Sequence, residues 1–254
     1  MQERTNLLQH IPAKRAAIFF DFDGTLVDIA AAPDKITVPP QLVGVLKRLH
    51  RATGGALAVI TGRSIDDLTY HLPQSAEWIA GCHGGEWQTP GGVWHHRLTN
   101  SATVEHIQND IQQLGAQYDG VVTEAKPLGA VVHYRAVPHL ADILRDAVIK
   151  ISDRHADFEW HPAKMAFELR PRDVGKDHVI KAWMRQAPFA GRTPVFFGDD
   201  LTDEPALAHV RSVGGISVKV GGGETSAARR VTSPAQVLNV LSGWLNAQGV
   251  KPTA

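Results

Sequence analysis

The chain has 254 residues, enough for a full hydrophobic core and for either one large domain or a main domain carrying an inserted one. Its 26 Lys and Arg balance 26 Asp and Glu, so no net basic field recruits nucleic acid or an anionic membrane, and the expected partner is a small molecule. The single cysteine, Cys82, excludes an intramolecular disulfide and any multi-cysteine zinc site, suits a reducing compartment, and reads as core or near-core.

The chain opens with "MQERTNLLQHIPAKR", which has charged and polar residues where a signal peptide needs its apolar stretch. No run approaches the ~18 apolar residues of a spanning helix, so a cytoplasmic protein is expected. The first strong element is "AAIFF", residues 16–20, which runs directly into Asp21, Phe22, Asp23, Gly24 and Thr25. Leu42, Val45, Leu46 and Leu49 then form an apolar stripe at helical spacing, ended by Gly54 and Gly55. A second apolar run, "ALAVI", ends in Thr61, Gly62 and Arg63.

From Val104 the pattern changes. Val104, Ile107, Ile111 and Leu114 predict a helix, "GVVTEAK" and "GAVVHYR" two strands, Leu140 to Ile151 a second helix, and "FEWH" and "KMAFELR" two more strands. This order is self-contained and of α+β type, so residues 105–172 are expected to form an inserted domain, with 1–104 and 173–254 making the main one. The last part returns to the first grammar: "PVFF" ends in Gly198, Asp199 and Asp200, "LTDEPALAHV" reads as a helix, "GGISVKV" as a strand, and "PAQVLNVLSGWLNAQG" as a final amphipathic helix.

Short apolar runs alternating with helices read as parallel strands buried on both faces, and the ligand of an open parallel sheet lies beyond the carboxyl ends of its strands. All three polar clusters fall at such ends and are expected to converge. Adjacent carboxylates repel each other unless a cation or phosphoryl group absorbs their charge, so Asp21 and Asp23 with Asp199, Asp200 and Asp203 suit a hard divalent metal, magnesium being the natural candidate. Gly24 lets the backbone approach a ligand closely, and Thr25 and Thr61 can hydrogen-bond phosphate oxygens. Thirteen histidines without metal-ligand spacing argue against zinc. "GGG" at 221–223 lacks the Lys-Ser/Thr of a phosphate loop and reads as a turn. On the strand "VVTEAKP", Glu124 and Lys126 share a face, and with Glu168 on "AFELR" they make a set suited to a neutral polyol.

"DFDGTL", "TGR", Lys176 and "GDDLTDE" resemble the four motifs of the haloacid dehalogenase (HAD) superfamily of aspartate-nucleophile phosphatases. More narrowly, "GDDLTDE", "EAKP", "HYR", "FELRP" and "VKVGGGET" are similar to the trehalose-6-phosphate phosphatases over nearly the whole chain. The resemblance implies an α/β fold, a Rossmann-like parallel sheet core with an α+β cap. It implies Asp21 as nucleophile, Asp23 as general acid and base, and magnesium held by Asp21, the Asp23 main-chain carbonyl and Asp199. Lys176 would neutralise charge, Thr61 hold the phosphate, and Asp200 and Asp203 support the site, while Arg63 reads as stabilising its loop. Glu124, Lys126 and Glu168 would contact the distal glucose of trehalose 6-phosphate. His133, Tyr134 and Arg135 stand between sugar contact and strand packing, and His83 borders the site. Competing readings are another capped sugar phosphatase, such as one for sucrose phosphate, a phosphomannomutase, or a silent phosphosugar-binding regulator. Association with a trehalose-6-phosphate synthase stays open.

Overall fold

The computed structural model describes residues 7–30, 35–73, 76–95, 101–163 and 165–251. Residues 1–6 of the opening segment and Lys164 of the expected strand "KMAFELR" lie outside the described residues. The chain divides into two compact units, one of Met1–Val93, Lys176–Asp199 and Asp203–Ala254, the other of Trp94–Gly175 with Asp200–Thr202. The second unit thus begins before and ends after the boundaries expected at 105 and 172.

The first unit is built on β1 (Ala16–Phe20), β2 (Leu57–Ile60), β3 (Trp78–Gly81), β4 (Glu86–Thr89), β10 (Thr193–Gly198), β11 (Ile216–Val220), β12 (Arg229–Val231) and the start of β5 (Gly92–His95). They form one sheet in the order β12-β11-β10-β1-β2-β3-β4-β5. The pairs from β12 to β3 are parallel, and β4 runs antiparallel to β3. Residue parity on β1 shows why this sheet needs cover on both sides. Ile18 and Phe20 pack with Leu46 and Leu49 of α1 (Leu42–Thr53) and with Leu241 and Trp244 of α7 (Pro234–Ala247). Ala17 and Phe19 pack with Val179 and Trp183 of α5 (Lys176–Trp183) and Leu207 and Val210 of α6 (Glu204–Ser212). A strand apolar at every position is buried on both faces, the doubly covered arrangement of a Rossmann-like sheet.

The helix ends follow local chemistry. α1 stops at Gly54, whose φ of 62° is a left-handed conformation that only glycine adopts without strain. α2 (Ile65–His71) starts from Ser64, whose hydroxyl accepts the Asp67 N–H, and α7 starts from Ser233 with Pro234 in its first turn. The hairpin of β4 and β5 was not among the expected elements. Its residues are half-buried or exposed and carry no continuous apolar run, so periodicity gave no signal.

The second unit has α3 (Ala102–Gly115), β6 (Val122–Lys126), β7 (Gly129–His133), α4 (Ala141–Ser152), β8 (Phe158–Ala163) and β9 (Ala166–Pro171). Its strands pair antiparallel in the order β6-β7-β9-β8. Alternation then sorts the two faces. Ala130, Val132, Phe167 and Leu169 pack with Val104, Ile107 and Ile111 of α3 and Leu144 and Val148 of α4. The register places Glu124, Val131, Glu168 and His161 in one row on the opposite face, with Lys126, Gly129, Arg170 and Glu159 in the next. The strand expected to reach Arg135 closes at His133, because the Tyr134 carbonyl turns to accept the N–H of Val137.

Candidate active site

Register brings the strand ends together. Phe20 lies level with both Val59 and Phe197, so Asp21, Thr61 and Asp199 leave the sheet at neighbouring points of one edge. The Asp21 N–H donates to the Phe197 carbonyl at 2.9 Å, and the Thr61 N–H donates to that of Ala80 at 2.8 Å, which fixes both backbones. After Asp23 the chain turns at once: the Gly24 N–H donates to Val27 and the Leu26 N–H to Phe22. Gly24 has φ 81°, and a Cβ on it would stand 2.1 Å from Asp199 Oδ2, so the expected close approach at this residue is to an aspartate.

The centre of the cluster is Lys176 at the start of α5. Its Nζ donates to Asp21 Oδ1 at 2.6 Å and to Asp203 Oδ1 at 2.7 Å, and all three groups are buried. Asp203 Oδ2 accepts the Asp199 N–H at 3.0 Å, so one carboxylate holds both the lysine and the backbone carrying the next acid. Residues 201–203 form a single 3-10 turn, which swings Asp203 back to that position. Asp200 Oδ1 accepts the Leu201 N–H at 2.7 Å.

Burial pushes the Asp21 carboxyl well above the ordinary carboxylate value, Lys176 opposes the rise, and Asp203 and Asp199 add to it. Burial also works against the charge on Lys176, but Asp203 and Asp21 outweigh it and hold the ammonium above its ordinary value. The ligand oxygens of Asp21, Asp199 and Asp203 all lie within 4.8 Å of one another. A cluster of three carboxylates, two of them on one ammonium, is the kind of oxygen-rich acidic set that suits a hard divalent cation. The Thr25 hydroxyl, in the turn that follows Asp23, is fully buried and has no hydrogen-bond partner among the described residues.

The Thr61 hydroxyl accepts the Arg63 N–H at 3.1 Å. Arg63 Nε donates to Asp23 Oδ2 at 2.7 Å and Nη2 to Asp23 Oδ1 at 2.8 Å, while Nη1 donates to Asp67 Oδ2 at 2.7 Å. The hydrogen bonds it donates to Asp23 lead the causes that raise the Arg63 guanidinium above its already high value. The expectation that Arg63 stabilises its loop missed the bond to Asp23, and Asp67 went unnoticed. His83 donates its N–H to Thr61 O at 2.9 Å, and the half-buried Cys82 donates its N–H to Arg63 O at 2.8 Å. Both hold positive φ (57° and 49°), and a Cβ on Gly62 would meet the His83 ring at 2.8 Å.

On the polar face of the second unit, Glu124 pairs with Lys126 Nζ at 2.6 Å and with His133 Nε2 at 3.2 Å. The His133 hydrogen bond leads the causes that lower Glu124 to about 2, with Lys126 assisting and burial opposing. Glu168 is buried in the same row as Glu124 and lies 3.6 Å from Nη1 of the buried Arg170 in the next row, a residue that the sequence did not single out. Arg135 is exposed in the turn after β7. At 221–223 the glycines make a bend whose carbonyls at Gly221 and Gly223 accept from Arg230.

The profile described as trehalose-phosphatase matches residues 19–237. A trehalose-6-phosphate phosphatase of Escherichia coli K12 is 38% identical over 230 residues, covering 89% of this chain and 85% of that protein. A probable trehalose-phosphate phosphatase of Sinorhizobium fredii is 35% identical over 209 residues, covering 81% and 77%. Among solved structures, the C-terminal domain of a Candida albicans trehalose-6-phosphate phosphatase superposes with a TM-score of 0.78 at 21% identity, covering 98% of this chain and 96% of that one. At that identity the last similarity speaks for the fold.

Proposed function

Since the chain belongs to the trehalose-phosphatase family, within the HAD superfamily whose phosphatases have this fold, we propose that it is a magnesium-dependent phosphatase of trehalose biosynthesis. It hydrolyses trehalose 6-phosphate to trehalose and phosphate. The observation that carries this reading is the buried contact of Lys176 with Asp21 and Asp203, beside Asp199 at the edge of a parallel sheet.

Asp21 attacks phosphorus in line with the sugar oxygen; the P–O bond to the sugar breaks as the bond to the carboxylate forms, giving an aspartyl-phosphate. Asp23 gives a proton to the departing sugar oxygen, then takes one from the water that attacks the phosphorus and frees Asp21. Lys176 offsets charge on Asp21 and on the phosphoryl oxygens, and Thr61, Thr25 and the backbone at Gly24 hold those oxygens. Asp21, the Asp23 main-chain carbonyl and Asp199 would hold magnesium, which would supply positive charge to offset that of the phosphoryl group, while Asp203 fixes the Asp199 backbone. On the cap, Glu124, Lys126 and Glu168 suit recognition of sugar hydroxyls, with Arg135 a further candidate. A small sugar phosphate is the only partner this chemistry calls for, and cytoplasmic residence agrees with it; among the described residues no helix is long and apolar enough to cross a membrane.

The test is phosphate release from a panel of sugar phosphates with and without magnesium. Trehalose 6-phosphate should be the best substrate and chelation should stop its turnover. Preference for sucrose phosphate, or metal-independent turnover, would overturn the reading.

A further inference from the structure

Arg63 and Asp23 come from loops 40 residues apart, yet they meet through two parallel hydrogen bonds of 2.7 and 2.8 Å. The fork of a guanidinium meeting both oxygens of a carboxylate fixes the plane as well as the distance of its partner. The two members are not held equally. The Asp23 side chain is 35% exposed, whereas that of Arg63 is 9% exposed. Arg63 is anchored on every other side. Nη1 donates to Asp67 in the first turn of α2, the guanidinium carbon lies 5.8 Å from the Phe22 ring centroid, its N–H donates to Thr61 Oγ1, and its carbonyl accepts from Cys82. Asp67 is itself tied, its N–H donating to Ser64 Oγ at 3.2 Å.

We propose that Arg63 is the positioning residue of the acid/base carboxylate, transmitting the fixed geometry of the Thr61–Asp67 segment to Asp23. The inference rests on the reading of Asp23 as acid and base. A loop-stabilising arginine would need only Asp67 and the backbone, and the second pair of bonds serves no local loop. A displacement of about 1 Å in a reacting group can slow a reaction by roughly 10²-fold, so the fork is a sensitive point of control.

The test is a mutant cycle read by kinetics. Arg63→Lys keeps the charge and loses the planar fork; kcat for trehalose 6-phosphate should fall about 10- to 100-fold while KM stays within about threefold. Combined with Asp23→Asn, either Arg63→Lys or Arg63→Ala should add less than about threefold, since the group it positions no longer acts. With 2,4-dinitrophenyl phosphate, whose leaving group needs no proton, the first-turnover burst of the Arg63→Lys enzyme should match wild type within about threefold while its steady rate drops. Multiplicative losses in the double mutant, or wild-type kcat in Arg63→Lys, overturn the positioning role. If Arg63→Ala does not fold, the Arg63→Lys cycle decides alone. Wild-type turnover by Asp23→Asn itself would instead remove the acid/base reading and the inference with it.

Discussion

The two units place the same side-chain types in opposite settings. In the core, Lys176 sits between Asp21 and Asp203 with 3% of its side chain exposed and Asp203 fully buried. On the cap face, Lys126 and His133 meet Glu124 with exposures of 33%, 37% and 45%. An ion pair in the first setting is a fixed part of the interior, and removing one partner leaves a buried charge stranded. In the second setting the charges still hold water, and a sugar hydroxyl can take the place of that water without disturbing the fold. For these two clusters burial therefore separates what residue type does not: the Lys176 pairs are closed off from solvent and the Glu124 pairs are open to it.

Mutations should respect this division. The largest effect is expected from Asp21→Asn, because an amide cannot act as the nucleophile: turnover of trehalose 6-phosphate and of a small aryl phosphate should both fall by at least about 10³-fold with the fold intact. A purified mutant keeping more than a thousandth of wild-type activity on either substrate would break the assignment of the core. Next comes Asp203→Asn, which removes one carboxylate from the buried lysine. Hydrogen bonds to charged groups are worth about 1.5–3 kcal/mol, so both stability and activity toward either substrate should drop. Urea unfolding identical to wild type would show that the buried pair contributes nothing net.

The cap should behave differently. On the proposed reading, truncating Glu124 or Lys126 to Ala should remove charge-assisted contacts to the sugar, each worth roughly ten- to a hundred-and-fifty-fold in kcat/KM for trehalose 6-phosphate, and Glu168→Ala should do so while also stranding the buried Arg170. An aryl phosphate makes no such contacts, so its slow hydrolysis should change by less than about threefold. Equal losses on both substrates would mean that these residues support the fold, and no loss on either would return the substrate to an unidentified phosphate ester.

The same contrast explains what could be read in the sequence. Strands β1, β2 and β10 are apolar at consecutive positions because both their faces are covered, and each ends abruptly in polar residues, so the sheet and its site edge announce themselves. The hairpin of β4 and β5 has no such run and was missed. Among Asp199, Asp200 and Asp203, spacing alone could not say which turn toward Lys176. That depends on a 3-10 turn at 201–203 that brings Asp203 back and leaves Asp200 on the Leu201 N–H. The bond from Arg63 to Asp23 joins loops 40 residues apart, a pairing that exists only once β1 and β2 lie side by side. Glu124 and Lys126 shared a face by simple alternation, but their role rested on family resemblance, since an exposed ion pair on a strand is common without any ligand.

The smallest expected effect lies in the titration of Glu124, and it probes how weakly the cap charges are coupled to the fold. Its carboxyl is lowered to about 2, chiefly by the hydrogen bond from His133 and then by Lys126. A folded value below the unfolded one means that the contacts stabilise the cap above the ordinary glutamate value of 4.5 and that this contribution fades as pH falls through about 2. Across neutral pH Glu124 therefore stays ionised, ready to accept from a hydroxyl. Because the side chain is 45% exposed, solvent screening should keep the stability effect below about 1 kcal/mol. An NMR titration of the Glu124 carboxyl should give a midpoint well under 4.5, and His133→Ala should move it upward while unfolding at neutral pH hardly changes. A midpoint unaffected by His133→Ala would remove the assigned cause. A loss of several kcal/mol in the same variant would show that this face is held as firmly as the core, and the division between the two units would not stand.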